Sequence, residues 1–569
     1  MHVVTSKRRH KDREYETTLV RRSYRDGDRV RKQTLANLSH LPPEAIEAVR
    51  RVLRGETLVG AGEALQVERS LGHGHVAAVL GVLRDLDLER LISRERCRER
   101  DLCVALICQR LLAAGSKLSA TRRFAQTTLA EALGLGTVSE RELLGAMDWL
   151  LARQDRIERA LAKRHLAADG YVLYDLSSSY VEGRCCPLAA IGYSRDGKRG
   201  SLQITYGLIC APDGRPVAIE LHRGNTADPR TVPAAAAAVA ERFGLGRAVI
   251  VGDRGMLTDT QIAHLVERRL GFISALRAPQ IAKLTVAPAF PLSLFDEYAL
   301  AEIAAPEFPG ERLIVCRNPA VAAERARKRA DLLAATEREL DKITASVGNP
   351  RGRLHGAPAA DIARRAGAVV NKHKMAKHFE LEIADGRFAY RRKQAQIDEE
   401  ALLDGLYVIR TDQAATTLSA PAAVRAYKQL KVAEHAFRQL KSPELQIRPI
   451  YHHLEDRVRA HAFVCMLAYY VQFELSDRLA PLLYTDDTPT AAANPVKPAQ
   501  PSPTAAAKTS THHSRDGHQL HTLADLLAEL GTLTRNRIRI PATGHRYHQL
   551  SEATPLQARA LDLLGVTPT

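Results

Sequence analysis

The spacing of apolar positions changes along the chain and divides it into regions. Between residues 15 and 38, two β-rich runs (YETTLVRRSY and RVRKQTLANL) flank the pair Asp26-Gly27, and such a pair favours a hairpin turn. From residue 41 to about 164, apolar residues recur at a spacing near 3.6, which predicts helices. We therefore expect a basic N-terminal β-hairpin region over 1–54 and a helical, DNA-binding or purely scaffolding domain over 55–165.

From Gly170 the pattern predicts alternating strands and helices. Three successive strands are expected in GYVLYDLSSSYVEG, RGSLQITYGLICA and RPVAIELHRG, then a helix, the strand RAVIVGD, a second helix and the strand FISALR. Three consecutive strands followed by alternating helix and strand are typical of an RNase H-like fold. In that fold the first and fourth strands lie side by side. The first part of this α/β core is expected over 166–278.

The rest of the chain predicts a multidomain α+β protein whose core is interrupted. Residues 279–402 contain short strand-like pieces and a long charged helix, and we interpret them as an insertion domain. Residues 403–484 return to the core. Residues 485–520 are rich in Pro, Ala, Thr and Ser, which predicts a disordered linker, and 521–569 form a C-terminal appendage.

Two carboxylates occupy similar places in this pattern. Asp175 follows the apolar run Tyr171–Tyr174, and Asp253 lies at the end of the short apolar strand RAVIVGD. Adjacent first and fourth strands would bring both carboxylates together. The simpler alternative for Asp175 is a polar residue at a strand end that bonds to the hydroxyl groups of Ser177–Ser179.

A third carboxylate lies on a helix expected over 419–441. Glu434 shares one face of this helix with a tyrosine and three cations, because their spacing places them within roughly 80° of arc. These neighbours are Tyr427, Lys431, Arg438 and Lys441. A solvent-exposed, salt-bridged face is the common meaning of such a stripe. The functional interpretation gives Glu434 to a metal ion and the cations to phosphate groups.

Composition adds a preference for a polyanionic partner. The chain has 82 Lys and Arg against 65 Asp and Glu, a formal net charge of +17, which favours nucleic acid. The cationic hairpin could bind a phosphate backbone or be an edge protected from pairing by its charge. No apolar run is long enough for a membrane span, and the eight scattered cysteines predict a reducing, cytosolic compartment.

Several motifs together resemble the DDE transposases of bacterial insertion sequences. They are YDLSSSY, GYSRDGKRGSLQITYGL, HRGNTADPRT, VGDRGM and YKQLKVAEHAFRQLK. The most similar branch has a Tyr-(2)-Arg-(3)-Glu-(6)-Lys signature and a large insertion before its Glu. Tyr427, Glu434 and Lys441 match this signature. Its Arg position holds Leu430, and the neighbouring Lys431 is the candidate replacement, although it binds as a point charge rather than as a planar fork.

The resemblance implies a catalytic, metal-binding triad of Asp175, Asp253 and Glu434. Such a triad would hold two Mg²⁺ or Mn²⁺ ions about 4 Å apart, with Tyr427, Lys431, Arg438 and Lys441 binding DNA. It implies cleavage of transposon ends and their joining to target DNA by a homodimer on paired ends, in the bacterial cytoplasm at the nucleoid. Two alternatives remain open: a nuclease of the same fold that does not join DNA, and an inactive, transposase-derived DNA-binding regulator.

Overall fold

The structure, a computed structural model, describes residues 1–10, 13–56, 65–286, 300–484 and 502–568. The chain divides into two compact units. The first contains Met1–Gly72 and Leu533–Glu552, and the second contains His73–Thr532 and Ala553–Thr569.

The N-terminal part of the first unit is a three-stranded antiparallel sheet followed by a helix and a further strand. The predicted hairpin is present, and Gly27 in its turn has φ +60°, a conformation that glycine adopts easily. An additional strand, formed by residues 2–10, pairs with the first strand of the hairpin. The sequence did not predict it, because its basic residues obscure the pattern of a strand. The elements are β1 (His2–His10), β2 (Arg13–Asp26), β3 (Arg29–Asn37), α1 (Pro43–Leu53) and β4 (Gln66–Gly72).

The second unit begins with the helices that the apolar spacing predicted. Their apolar faces are buried, and the longest of them has hardly any exposed residue beyond its first turn. A capping box between Ser139 and Glu142 begins the seventh helix of the chain. The helices are α2 (Gly74–Asp85), α3 (Leu88–Ile92), α4 (Arg98–Ala113), α5 (Lys117–Arg123), α6 (Leu129–Leu133), α7 (Glu140–Leu151) and α8 (Gln154–His165).

A mixed sheet follows, and its predicted strands are all present. The predicted helices lie between them, and the first ends in a π-helical turn at Ala238–Arg242. The elements are β5 (Tyr171–Tyr180), β6 (Ala190–Ile191), β7 (Leu202–Cys210), β8 (Pro216–Arg223), α9 (Val232–Ala237), β9 (Val249–Val251), α10 (Asp259–Glu267), β10 (Gly271–Ala275) and α11 (Ala278–Val286).

The predicted boundary of the insertion domain is wrong at its N-terminal side. Two strands assigned to the insertion, β11 (Leu300–Ile303) and β12 (Arg312–Arg317), extend the central sheet. The second has an apolar, β-branched centre, and Leu313 and Val315 are buried against Leu276 and Val408. Burial of these side chains on the core of the sheet explains why the segment belongs to it.

The inserted module itself follows β12 and has its own apolar core. Leu333, Leu340, Ile362, Phe379 and Phe388 belong to one buried cluster. The hairpin in this module turns at Asp385-Gly386, as its sequence indicates. The elements are α12 (Pro319–Gly348), α13 (Ala359–Lys372), β13 (Phe379–Ala384), β14 (Arg387–Arg392) and α14 (Gln394–Leu402).

The chain then returns to the central sheet and covers it with helices. The sheet order is β11-β12-β15-β10-β9-β5-β7-β6, with β8 also pairing with β7. The helix predicted over 419–441 is interrupted at Gln429 and forms two helices. The long apolar helix after them is buried along its central turns, in agreement with its predicted packing on the core. These elements are β15 (Leu406–Thr411), α15 (Ala420–Lys428), α16 (Leu430–Lys441) and α17 (Glu455–Arg478).

The prediction of a disordered linker over 485–520 is wrong in its second half; residues 485–501 lie outside the described part of the chain. Residues 503–511 form a helix, capped where the Ser502 hydroxyl accepts a hydrogen bond from the Ala505 amide, 3.0 Å away. The Lys508 ammonium group is buried and donates to the Ala480 carbonyl at 2.7 Å. A capping serine and a tertiary contact therefore order a segment whose composition alone predicts disorder.

The C-terminal residues do not form a separate appendage. One strand of their hairpin pairs with β4 in the first unit, whereas the flanking helices belong to the second unit. The elements are α18 (Pro503–Thr511), α19 (Leu523–Gly531), β16 (Thr534–Arg539), β17 (Arg546–Leu550) and α20 (Pro555–Leu564).

No single helix in the described residues is both long and apolar enough to cross a membrane, although α4 and α5, bent by 86°, meet that test as a pair.

Candidate active site

The central sheet brings the two predicted aspartates to the same edge. β5 and β9 are parallel neighbours, and Leu173 pairs with Val251. Asp175 lies two residues beyond Leu173, and Asp253 lies two residues beyond Val251. The adjacency predicted for the first and fourth strands is thus confirmed. Asp175 lies within β5 rather than at its end, because β5 continues along β7 after β9 has stopped.

The serine hydroxyl groups do not satisfy Asp175. Its Oδ1 accepts a hydrogen bond from the Leu176 amide at 2.8 Å. The Ser178 hydroxyl accepts from the Arg195 amide at 3.0 Å, and the Ser179 hydroxyl bonds to that of Tyr206. The simpler interpretation of Asp175, as a strand-end residue bound to these serines, is therefore wrong.

Asp175 has an unusual electrostatic environment. The pKa of its carboxyl group is raised to about 7, chiefly by burial and also by the charges of Glu434 and Asp253. The hydrogen bond from the Leu176 amide and the charge of Arg195 partly oppose this rise. Asp253 and Glu434 are exposed. The three carboxylates are thus close enough for their charges to interact.

α16 presents Glu434 as its sequence pattern predicts. Leu430, Ala433, Ala436, Phe437 and Leu440 are its buried residues. The Phe437 ring packs edge-on against Tyr206 of β7, with 5.7 Å between ring centroids. This packing fixes α16 on the sheet and turns Glu434 away from the apolar face.

Tyr427 lies on α15, before the interruption at Gln429, and contacts a different carboxylate. Its hydroxyl group donates to Asp253 Oδ1 over 3.4 Å. Burial raises the pKa of Tyr427, and the charge of Asp253 raises it further. The phenol therefore stays protonated and available as a donor to Asp253.

A cleft of about 560 Å³ joins the other predicted residues. Asp175, Glu434, Arg438 and Lys441 line it, together with residues that sequence reasoning missed. Lys431 does not line this cleft and is exposed on α16. The stripe predicted on one helix is therefore divided. Tyr427 contacts Asp253 and Lys431 is exposed, whereas Glu434, Arg438 and Lys441 line the same cleft as Asp175.

The missed residues are Arg195, Asp196 and Arg448. The Asp196 side chain is only 1% exposed, and its Oδ1 contacts both Lys441 Nζ at 2.8 Å and Arg448 Nη1 at 2.6 Å. Arg195 forms an ion pair with Asp228 at 2.6 Å. Asp196 lies in the run RDGK, whose Asp-Gly pair is typical of a turn, so the local pattern did not indicate a buried carboxylate. The family motif around it was the signal that could have found it.

Comparison with family models identifies the family of the chain. Residues 187–471, half of the chain, match the model described as "Transposase DDE domain", and residues 3–64 match "IS1634 family transposase, N-terminal domain". The chain belongs to the DDE transposase family. Asp253 and Glu434 of this transposase lie within the matched range, whereas Asp175 precedes it, so the place of Asp175 in the site rests on strand register.

Other comparisons add little to the family assignment. No curated protein matches this transposase. A cryo-EM structure of a piggyBac transposase synaptic complex with hairpin DNA is similar over 80% of this chain and 76% of that chain, at 8% identity and a TM-score of 0.32. A likeness this low supports no conclusion about the present transposase.

DDE transposase domains use divalent cations such as Mg²⁺, and the donor atoms here suit such an ion. Within the described residues, no three His, Cys, Asp or Glu side chains are gathered closely enough to form a metal site by themselves. Asp175, Asp253 and Glu434 nevertheless offer only carboxylate oxygens, which hard cations prefer. A cation would also offset the burial of Asp175 and the charges of Glu434 and Asp253, which together raise the pKa of Asp175. The donor atoms of these three residues are therefore of the type that binds a divalent cation such as Mg²⁺.

Proposed function

We propose that this transposase binds the ends of an insertion sequence, cleaves them and joins them to target DNA by metal-dependent phosphoryl transfer. The observation that carries the proposal is the equivalent placement of Asp175 and Asp253 beyond a paired Leu173 and Val251, beside Glu434. Double-stranded DNA, as transposon ends and as target, is the proposed partner, and a homodimer on paired ends is the proposed assembly.

We assign the catalytic region to an RNase H-like core. Support comes from the antiparallel β5, β7 and β8, followed by β9 parallel to β5 and β10 parallel to β9. In domain terms, the core combines 166–278 and 403–484 with β11 and β12. The module over 319–402 is then the inserted domain.

In the proposed mechanism, Asp175, Asp253 and Glu434 would hold two Mg²⁺ or Mn²⁺ ions. When bound, these ions would supply activation of the attacking oxygen and stabilisation of the leaving oxygen. Tyr427 donates to Asp253 Oδ1 and so orients that carboxylate. Arg438 and Lys441 line the cleft beside Glu434 and attract the phosphate backbone of the strand to be cut. Lys431, exposed on the same helix, contributes a more distant contact to DNA.

The test is cleavage and joining of DNA that carries the flanking inverted repeats, with Mg²⁺ or with EDTA. The wild type should produce 3′-hydroxyl ends and join them to a target only with Mg²⁺, and Glu434→Gln should do neither. Glu382→Gln, an exposed change on β13 of the inserted module, is the matched control. Cleavage without joining would favour the nuclease alternative, and end binding without cleavage by the wild type would favour the regulator.

A further inference from the structure

The cleft beside Asp175 contains a local excess of positive charge. The single carboxylate of Asp196 forms ion pairs with two cations, because its Oδ1 contacts both Lys441 and Arg448. Its Oδ2 accepts a hydrogen bond from the Tyr180 amide at 3.3 Å. At Asp196 itself, one negative charge thus faces two positive charges in a partly buried place, and a phosphate group bound there would balance the second positive charge.

Arg448 is the more accessible of these two cations. Its side chain is 30% exposed, against 12% for Lys441. Nη1 contacts Asp196, and this is the ion pair that the described residues offer it. A guanidinium group has five N–H donors in a planar fork that matches a phosphate group. Because the contact with Asp196 uses Nη1, the other N–H groups of the guanidinium can donate to a ligand. Arg448 lines the cleft with Asp175 and Glu434, so such a ligand would lie beside these carboxylates.

The backbone that carries Arg448 is held by buried side chains. Arg110 Nη1 lies 3.4 Å from each of the Leu445 and Gln446 carbonyl oxygens, and His461 Nε2 donates to the Ile447 carbonyl at 3.1 Å. Arg110 and His461 are 7% and 4% exposed. Three consecutive carbonyl groups before Arg448 are therefore fixed.

Arg110 also determines which nitrogen of His461 carries the proton. His461 Nδ1 lies 3.2 Å from Arg110 Nη2 and 3.3 Å from Lys117 Nζ. The guanidinium group is a donor only, so Nδ1 accepts from it and Nε2 holds the hydrogen that is donated to the Ile447 carbonyl. Burial lowers the pKa of His461 well below its usual value, and Lys117 and Arg110 lower it further. His461 is therefore neutral at pH 7, and its Nε2–H donates to the Ile447 carbonyl.

We propose that Arg448 is a phosphate-binding residue, oriented by the positioning residue Asp196, that holds the DNA strand against Asp175 and Glu434. This rests on the proposed function. The ligand is a phosphodiester group of the DNA backbone next to the scissile bond. A preorganised cation on a fixed segment loses little entropy when it binds a phosphate, which is the arrangement that favours accurate alignment of the reacting groups.

The experiment combines Arg448→Ala with DNA in which single phosphates near the cleavage site are replaced by neutral methylphosphonates. Binding and single-turnover cleavage are both measured. Arg448→Ala should weaken binding about tenfold and reduce the salt dependence of log K by about one unit. One methylphosphonate should have the same effect on the wild type, and it should cause no further loss in Arg448→Ala, because both changes remove one contact.

Two further variants separate positioning from simple charge. Asp196→Asn keeps the guanidinium charge but not its orientation, so cleavage should fall about tenfold while binding is not weakened. Arg448→Lys should keep most binding and lose about tenfold in cleavage, because an ammonium group lacks the planar fork. Arg364→Ala, an exposed change on α13 of the module, is the control and should change neither.

Two results would overturn the role of Arg448. The first is that the affinity losses from Arg448→Ala and from a methylphosphonate multiply at every position tested. The second is full binding and cleavage by Arg448→Ala. The binding measurements decide this even if the wild type does not cleave. A wild type that binds ends but never cleaves would instead contradict the proposed function and leave the phosphate contact supported by the matching losses in affinity.

Discussion

Asp175 and Asp253 occupy equivalent positions on two adjacent parallel strands, each two residues beyond the paired Leu173 and Val251. Chain segments far apart in sequence thus deliver two carboxylates to one edge of the sheet. Burial raises the pKa of Asp175, and the charges of Glu434 on α16 and of Asp253 contribute to the rise.

This arrangement predicts that each carboxylate is needed for chemistry but not for DNA binding. Asp175→Asn, Asp253→Asn and Glu434→Gln should each lower the rate of end cleavage by about 10³-fold or more, because each removes a charged ligand from the proposed metal site. A gel-shift assay with end DNA should show affinity close to that of the wild type. Asp361→Asn on α13 is the control, and full cleavage by any of the three variants would refute the triad.

Gly224 provides a test of the backbone near the site. A Cβ atom at this position would lie 1.9 Å from the Gln203 carbonyl oxygen and 2.6 Å from that of Ala190. Gly224→Ala must displace the strand that leads to Arg195 and Asp196, so we expect a loss of about 2–4 kcal/mol in stability, as for other severe steric changes. A fall in melting temperature together with reduced cleavage would support this.

Gly145 on α7 is the matched control for Gly224. It is exposed in the helix, and no atom outside the local helix backbone lies within 4 Å of the position that an added methyl group would take. Gly145→Ala should therefore raise stability by about 0.5–1 kcal/mol through helix propensity. A similar melting temperature for the two variants would contradict the steric argument.

Arg410 on β15 should be important for stability. The buried guanidinium group donates to both oxygens of Glu311, at 2.7 and 2.5 Å, and to Asp259 at 2.7 Å. Arg410→Met should cost about 3 kcal/mol, because Glu311 is left as a buried, unpaired charge. Thermal melting measures the loss, and adding Glu311→Gln should recover part of it.

An exposed ion pair provides the comparison for Arg410. Glu302 is 42% exposed and pairs with Arg312 at 2.8 Å. Glu302→Gln should cost less than about 1 kcal/mol, as is usual for surface pairs. Equal losses of stability in Arg410→Met and Glu302→Gln would show that the buried Arg410–Glu311 pair contributes no more to stability than an exposed pair.

Glu158 predicts a pH dependence of stability. Burial raises the pKa of this α8 carboxyl group from 4.5 to about 8, although Arg242 and hydrogen bonds from Gln154 and the Ile219 amide lower it. Between these two values the folded protein holds a proton that the unfolded chain has released. Stability should therefore fall as the pH rises through this window, by up to about 1.4 kcal/mol per pH unit for one proton.

The variant Glu158→Gln isolates that contribution. Glutamine keeps an acceptor for the Ile219 amide, which lies 3.1 Å from Glu158 Oε1, but it does not titrate. The decrease in melting temperature between about pH 5 and about pH 8 should be smaller than in the wild type. An unchanged slope would show that Glu158 is ionised throughout.

The sequence predicted the parts of the site that depend on local pattern and element order. The neighbouring positions of β5 and β9 follow from the order of strands and helices, and the burial of Phe437 opposite Glu434 follows from helical spacing. Asp196 escaped prediction because its partner Lys441 lies 245 residues further along the chain, and local pattern carries no information about such pairs. β12 was misassigned for the same reason, since its partner strand comes after the whole module.

The inserted module leaves and re-enters the sheet at neighbouring points. Arg317 at the end of β12 pairs with Leu406 at the start of β15, and the Asn318 amide donates to the Gly405 carbonyl at 2.8 Å. Residues 318–405 therefore connect β12 to β15 in the way that the loop of a β-hairpin connects its two strands. Descendants of this gene can lengthen, shorten or exchange that connection while β15 and α16 keep their positions, so the catalytic edge and the module are free to evolve at different rates.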